Sequence, residues 1–395
     1  MHADFSSNWS RLVLIWALSI SLASCSGGGS NPTVPPPDHP TVQGELKSST
    51  LLNTISKTDI AQALNALNAG IQGLDPVYDV TSYRLEYLTS DVHGQIVRAS
   101  GLVSIPIKPA GAASPVLSYQ HGTIFLDSQA PSNHAVASEL VVAVASLGYI
   151  VVAPDYVGYG SSKGTPHPYL LAAPSAAAVI DFLTAAKTWR RDNNVYDNGQ
   201  LFLVGYSEGG YVSMAAHRAM QANNSDYLQQ LRMEVAGAGP YDVRTSLDEL
   251  LRLVGKEQPL LAALLKPGLL RYLDPNLRPI VSRELLKHML PGDTDVVFDT
   301  QVIDDYLADD IETIARISSV HDWKPNLPVR LYHGQDDQTV PYASALSTLQ
   351  TMQARGVSDL VSLTDCPAVP SSHIGCVPSF LTFMLGQLGT YAQGL

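Results

Sequence analysis

Positive charge is scarce in this chain: 24 Lys and Arg stand against 36 Asp and Glu, a formal charge of -12. A nucleic-acid surface needs a basic patch or stripe, so nucleic acid is not an expected partner. Charged residues of either sign make up only 15%, whereas 45% are hydrophobic. That balance excludes a disordered, self-repelling chain and predicts a packed core, which 395 residues can supply as one large domain or two smaller ones. Cysteine is also rare, three in all, and no second Cys/His pair sits at ligand spacing, so a metal is not expected; the chemistry read below from the motifs requires no organic cofactor. Long apolar runs are missing outside the start of the chain, and the run there, Leu12 to Ala23, is too short to span a bilayer comfortably.

That run, LVLIWALSISLA, follows Arg11 and reads as an export signal. It ends in Leu22-Ala23-Ser24-Cys25, which resembles a bacterial lipobox. The resemblance implies a diacylated Cys25 as first mature residue and, with Ser26 rather than Asp next, sorting to the outer membrane. The other reading is an ordinary signal peptide cut near Ala23 or Ser24, giving a periplasmic or secreted product. Residues 1–25 are therefore read as a lipoprotein-type signal and 26–50, rich in Gly, Pro and Ser, as a flexible tether. Membrane contact is expected through the lipid anchor. Cys366 and Cys376 remain, an even pair in an exported chain, and are expected to form a disulfide.

From residue 51 to 395 short β-branched runs alternate with Ala-rich stretches, the pattern of an α/β domain with a mostly parallel sheet flanked by helices. Strands are expected at Tyr83 to Leu88, Ile96 to Ile105, Val116 to Gln120 and Tyr149 to Ala153, then from Leu201, Met233 and Val329, and last at Leu360 to Leu363. Helices are expected at Ser132 to Leu147, Pro174 to Arg191 and Glu208 to Ala222. Residues 241–327 carry helical spacing and no strand character, which fits an inserted helical cap, where a substrate pocket is commonly built.

The strongest local signal is GYSEGG, Gly205 to Gly210, set between the apolar run LFLV and a small-residue helix. A sharp strand-to-helix turn that exposes a serine needs small residues two before and two after it. Gly205 and Gly209 fill those places around Ser207, the candidate nucleophile. A second Gly-x-Ser-x-Gly, GSSKG around Ser162, follows GYG rather than a strand and precedes Thr165-Pro166-His167-Pro168, which blocks an immediate helix; it reads as a shaped loop. A serine hydroxyl needs a base, usually an imidazole steered by a carboxylate. His373, in SSHIGC beyond the last strand, is the candidate base, whereas His321 precedes the acid motif. The acid is expected in YHGQDDQTVP, at Asp336 or Asp337, with His333 read as a structural histidine at a strand end.

Together YQHGT, PDYVGYG, HPYLLAAPSAAAVIDFLTAA, GYSEGG, YHGQDDQTVP and SSHIGC resemble the secretory-lipase branch of the α/β-hydrolases, the Candida antarctica lipase A-like group, from about Tyr83 to the C-terminus. The resemblance implies the α/β-hydrolase fold and a serine esterase or lipase acting on a small-molecule carboxylic ester through an acyl-enzyme. Its HGxxDxxVP motif places the acid at Asp337, and its HG-x arrangement places one oxyanion donor at Thr123, with Gly122 and His121 as alternatives; Glu208 supplies the other N–H. One departure stands out: Glu208 follows the nucleophile where many relatives have a small or neutral residue, and its charge opposes an oxyanion unless it points away. Two other readings share these residues: a peptidase on the same scaffold, and a surface-binding lipoprotein that has lost catalysis.

Overall fold

The computed structural model describes residues 42–67, 70–257, 267–268, 274 and 276–395. The signal, the expected anchor Cys25 and most of the expected tether lie outside them. The chain opens on an antiparallel edge: β1 (Leu46–Ile55), β2 (Val80–Ser90) and β3 (Ile96–Pro106). The parallel part follows as β4 (Ser114–Gln120), β5 (Ile150–Pro154), β6 (Asp197–Tyr206), β7 (Leu231–Gly237), β8 (Val329–His333) and β9 (Val361–Asp365). They form one nine-stranded sheet in the order β1-β2-β3-β5-β4-β6-β7-β8-β9.

The run LFLV of β6 shows why the sheet is central. Its side chains alternate between two cores: Leu201 and Leu203 face one, Phe202 and Val204 the other, and all four are buried. A strand covered on both faces reads as continuous hydrophobic sequence. The first face is covered by α3 (Ala172–Asp192) and α4 (Glu208–Ala222) through residues such as Val179, Phe182, Val212 and Ala216. The opposite face is covered by α2 (Leu140–Ala145) and the C-terminal helix Val377–Gly389 through Val141, Val144, Phe380 and Met384.

Strand order places the functional end. β4 pairs with β5 on one side and β6 on the other, so the chain leaves the ends of β4 and β6 in opposite directions, opening a crevice there. Register aligns the carboxyl ends: Gln120, Gly205, Ala236, Leu331 and Leu363 lie in one row across five strands.

Two expectations need correction. Leu46–Thr50 belongs to β1, paired with β2, so the ordered domain starts inside the segment read as tether. Its neighbours Lys47, Ser48, Ser49 and Thr50 are polar, and an edge strand held by backbone pairing leaves little apolar pattern to see. The helix expected over Ser132 to Leu147 is reduced to a 3₁₀ turn at Pro131–Asn133 and to Leu140–Ala145. There the Ser132 N–H and hydroxyl donate to the buried Asp155 carboxylate, holding that segment out of a helix. Between β7 and β8 the described residues form the helices Val243–Glu257, Arg278–Met289, Gln301–Leu307 and Ile311–Thr313, continued by a π turn, with no strand among them.

Phe182 has no solvent exposure and packs its ring 5.0 Å from that of Tyr87. Phe182→Ala is expected to lower unfolding free energy by about 3–5 kcal/mol in urea titration, because the cavity beneath β3 cannot collapse against a rigid sheet.

Candidate active site

Ser207 stands at the carboxyl end of β6 with φ 60° and ψ -127°, a conformation that L-residues rarely adopt. Holding it costs about 1–3 kcal/mol, and the surroundings enforce it. The turn closes so tightly that a Cβ on Gly205 would lie 2.1 Å from the Gly209 carbonyl oxygen, and one on Gly209 would lie 2.0 Å from that of Gln120. The two glycines expected to shape an elbow are thus required by backbone-to-backbone approach. The Ser207 N–H also donates to the Gly237 carbonyl at 2.8 Å, tying the turn to β7.

Strand β8 runs out into the loop carrying Asp336 and Asp337, and β9 into the loop carrying His373. These bring three expected residues together: the Ser207 hydroxyl lies 2.9 Å from His373 Nε2, and His373 Nδ1 lies 2.6 Å from Asp337 Oδ2. Asp337 is buried, and its Oδ1 accepts the N–H groups of Thr339 and Val340, both at 2.9 Å. Burial alone would raise its carboxyl pKa. Hydrogen bonds from His333 and His373, with the charge of those rings, outweigh it and hold the group at about 2. An ionised Asp337 accepts from Nδ1–H of His373, which leaves Nε2 free to take a proton from Ser207.

The histidine loop is fastened at several points. A disulfide joins Cys366 and Cys376. Tyr206, beside the serine, donates its hydroxyl to the His373 carbonyl at 2.7 Å. Asp336, the neighbour one residue out of frame, accepts the N–H and hydroxyl of Ser371 at 3.0 and 2.9 Å. The two adjacent aspartates therefore divide the work, Asp337 facing the imidazole and Asp336 tying down its loop. His333 is fully buried and donates from Nε2 to the Val340 carbonyl at 2.8 Å, with Asp337 Oδ2 at 3.3 Å. It is structural, as its strand-end position implies, and additionally supports Asp337. His321 lies apart, 3.7 Å from Asp242.

The loop after β4 reaches the elbow. A Cβ on Gly122 would lie 3.6 Å from that of Ser207. His121 stacks on Tyr156 at 4.1 Å, and Thr123, the expected donor, turns its hydroxyl to that of Tyr169 at 3.3 Å. Ser162 of the second Gly-x-Ser-x-Gly is buried in a 3₁₀ turn, donating to the Tyr159 carbonyl and accepting the Gly158 N–H. It is structural. No group of three or more His, Cys, Asp or Glu side chains among the described residues is disposed to hold a metal ion.

A family model described as the alpha/beta hydrolase family matches residues 121–371, more than half of the chain. The chain belongs to the α/β-hydrolase family. Solved structures of similar fold include the rice cell wall degrading esterase LipA from Xanthomonas oryzae, at 24% identity and TM-score 0.69, covering 89% of this chain and 100% of that one. Another is Candida antarctica lipase A, at 18% identity and TM-score 0.53, covering 84% and 78%. Comparison with curated protein sequences gave no match. In this α/β-hydrolase the sequence-expected Ser207, His373 and Asp337 meet at the sheet end where such enzymes carry their chemistry. Sequence reading missed Tyr206 and Asp336 as ties of the histidine loop, since each is defined by a contact rather than a motif.

The depressed Asp337 carboxyl has a signed consequence. Stability that depends on its ionised form is fully present above the ordinary carboxylate range near pH 4 and is lost as pH falls through about 2. The difference in unfolding free energy between wild type and Asp337→Asn, followed by denaturant titration, is expected to be widest near pH 6 and to shrink between about pH 4 and 2.

Proposed function

We propose that this chain is an exported serine hydrolase of carboxylic esters, an esterase or lipase working through Ser207, His373 and Asp337 and a covalent acyl-enzyme. The observation that carries this reading is the unbroken hydrogen-bonded line from buried carboxylate to imidazole to a strained serine hydroxyl. In the acylation step Ser207 Oγ attacks the ester carbonyl as His373 Nε2 takes its proton. The tetrahedral oxyanion is met by the Glu208 N–H at the start of α4, where the helix dipole favours negative charge, and by a second N–H from the loop at Thr123. His373 then passes the proton to the departing alcohol. Water, activated by the same imidazole, attacks the acyl-enzyme; the acid leaves and Ser207 regains its proton. Asp337 stays ionised throughout, fixing the ring and stabilising the imidazolium.

The helical insertion supplies the substrate's surroundings in this reading. Its segment 295–299 crosses the loops after β4 and β5: Asp295 accepts the Asp127 N–H and pairs with Lys163 at 2.6 Å, while the Phe298 ring packs on Phe125 and Tyr169. These aromatic groups give the insertion an apolar underside against the site, suited to an acyl or alcohol group. The fold likeness to LipA and Candida antarctica lipase A supports ester chemistry. No described helix is long and apolar enough to cross a membrane. In this reading attachment is through a lipid on Cys25 of an outer-membrane lipoprotein, supported by the lipobox-like Leu22-Ala23-Ser24-Cys25.

Ser207→Ala is expected to lower kcat for p-nitrophenyl butyrate by about 10⁴-fold or more, with an unchanged far-UV circular dichroism spectrum. Undiminished turnover in that variant contradicts the proposal. In a bacterial host, radiolabelled palmitate is expected to enter the full chain and to be absent from Cys25→Ser; equal labelling rules out the anchor.

A further inference from the structure

The residue after the nucleophile carries a charge that ought to hinder the reaction, and the structure shows what it meets. Glu208 is 2% exposed, and His167 Nε2 lies 2.7 Å from its Oε1. The other oxygen, Oε2, is buried with no hydrogen-bond partner among the described residues. No other ion-pair partner of Glu208 is found among them. A bare carboxylate in such a place is costly. The His121 ring also feels the charge of Glu208, but burial pushes its pKa down and favours the neutral ring, which leaves His167 as the group in contact that can supply a counter-charge.

His167 is built to supply it. The ring is 1% exposed, and its Nδ1 lies 2.9 Å from the Val157 carbonyl oxygen. Both ring nitrogens therefore face acceptors. Against an ionised Glu208, a neutral imidazole has one N–H and would set a lone pair against one of the two oxygens; the doubly protonated ring donates to both. The backbone of His167 is clasped by the helical insertion: its N–H donates to the Val297 carbonyl at 2.7 Å, and its carbonyl accepts the Asp299 N–H at 2.9 Å. Phe298 closes over the ring edge-on at 5.5 Å.

We infer that His167 is a positioning residue for the oxyanion side of the site. It carries the positive charge that cancels the carboxylate of Glu208, so that the residue offering its N–H to the oxyanion presents a neutral pair, and it pins that pair to the insertion at 297–299. The inference rests on the ester-hydrolase reading above. A like charge beside the oxyanion disfavours the transition state more than the bound substrate, so the effect belongs in kcat.

The test uses His167→Gln, which keeps a donor near Glu208 Oε1 but cannot carry a charge, and the double variant with Glu208→Gln, which removes the charge to be balanced. With p-nitrophenyl butyrate, His167→Gln is expected to lower kcat by about 10- to 100-fold with KM within about twofold of wild type. The double variant is expected to recover at least about tenfold of that loss, which a merely structural role for the ring does not produce. A single variant with kcat within about twofold of wild type, or a double variant no better than the single one, overturns the inference. Should His167→Gln not fold, ¹⁵N-histidine spectra of the wild-type protein decide instead: two ring N–H signals from His167 at assay pH support it, and one overturns it. That spectrum does not depend on activity, so an inactive wild type sinks the ester-hydrolase reading separately.

Discussion

The turn from β6 into α4 closes only because Gly205 and Gly209 have no side chains. With any Cβ there, backbone atoms about 2 Å away would have to move, and with them the contact between this turn and the end of β4. The other features of the site depend on that closure. It fixes Ser207 in a strained backbone conformation at the end of β6, brings the Gly122 loop alongside, and starts α4 immediately after the serine. The strain at Ser207 is sustained by the largely buried strands on either side, whose packing outweighs a local cost of about 1–3 kcal/mol.

Around this fixed point the chain assembles irregular loops and ties them down. The loop bearing His373 has no regular structure of its own, yet it is tied by a disulfide, by the Tyr206 hydroxyl and by Asp336. An imidazole held in this way keeps its orientation in an irregular loop. The same logic applies to charge. Asp337 and Glu208 are both buried acids within the site, and each is matched by histidine: His373 and His333 for Asp337, His167 for Glu208.

Much of this was legible in the residues. Strands buried on both faces announce themselves as apolar runs, so LFLV and VRLYH were placed within a few residues, and α4 matched at both ends. The elbow glycines, the order serine, acid, histidine and the resemblance to HGxxDxxVP, which implies Asp337, point to three residues that the fold brings within hydrogen-bond distance. What escaped notice lacks a local pattern. The β1 strand is held by backbone pairing with β2 rather than by apolar alternation. Ser132 leaves its helix because of Asp155, 23 residues away. His167 looked like part of a proline-rich loop, and only the tertiary contact across 41 residues reveals its partner. The opposing charge expected at Glu208 is read from that residue alone, without the His167 ring nitrogen 2.7 Å from its carboxyl group.

In the proposed reading Ser207, activated by His373, attacks an acyl or phosphoryl centre. Incubation with a fluorophosphonate, followed by intact-mass measurement and peptide mapping, tests it most directly. The account predicts one adduct per chain, located on Ser207 and lost when His373 is replaced by alanine. An unmodified chain, or an adduct on Ser162 or another residue, would contradict it.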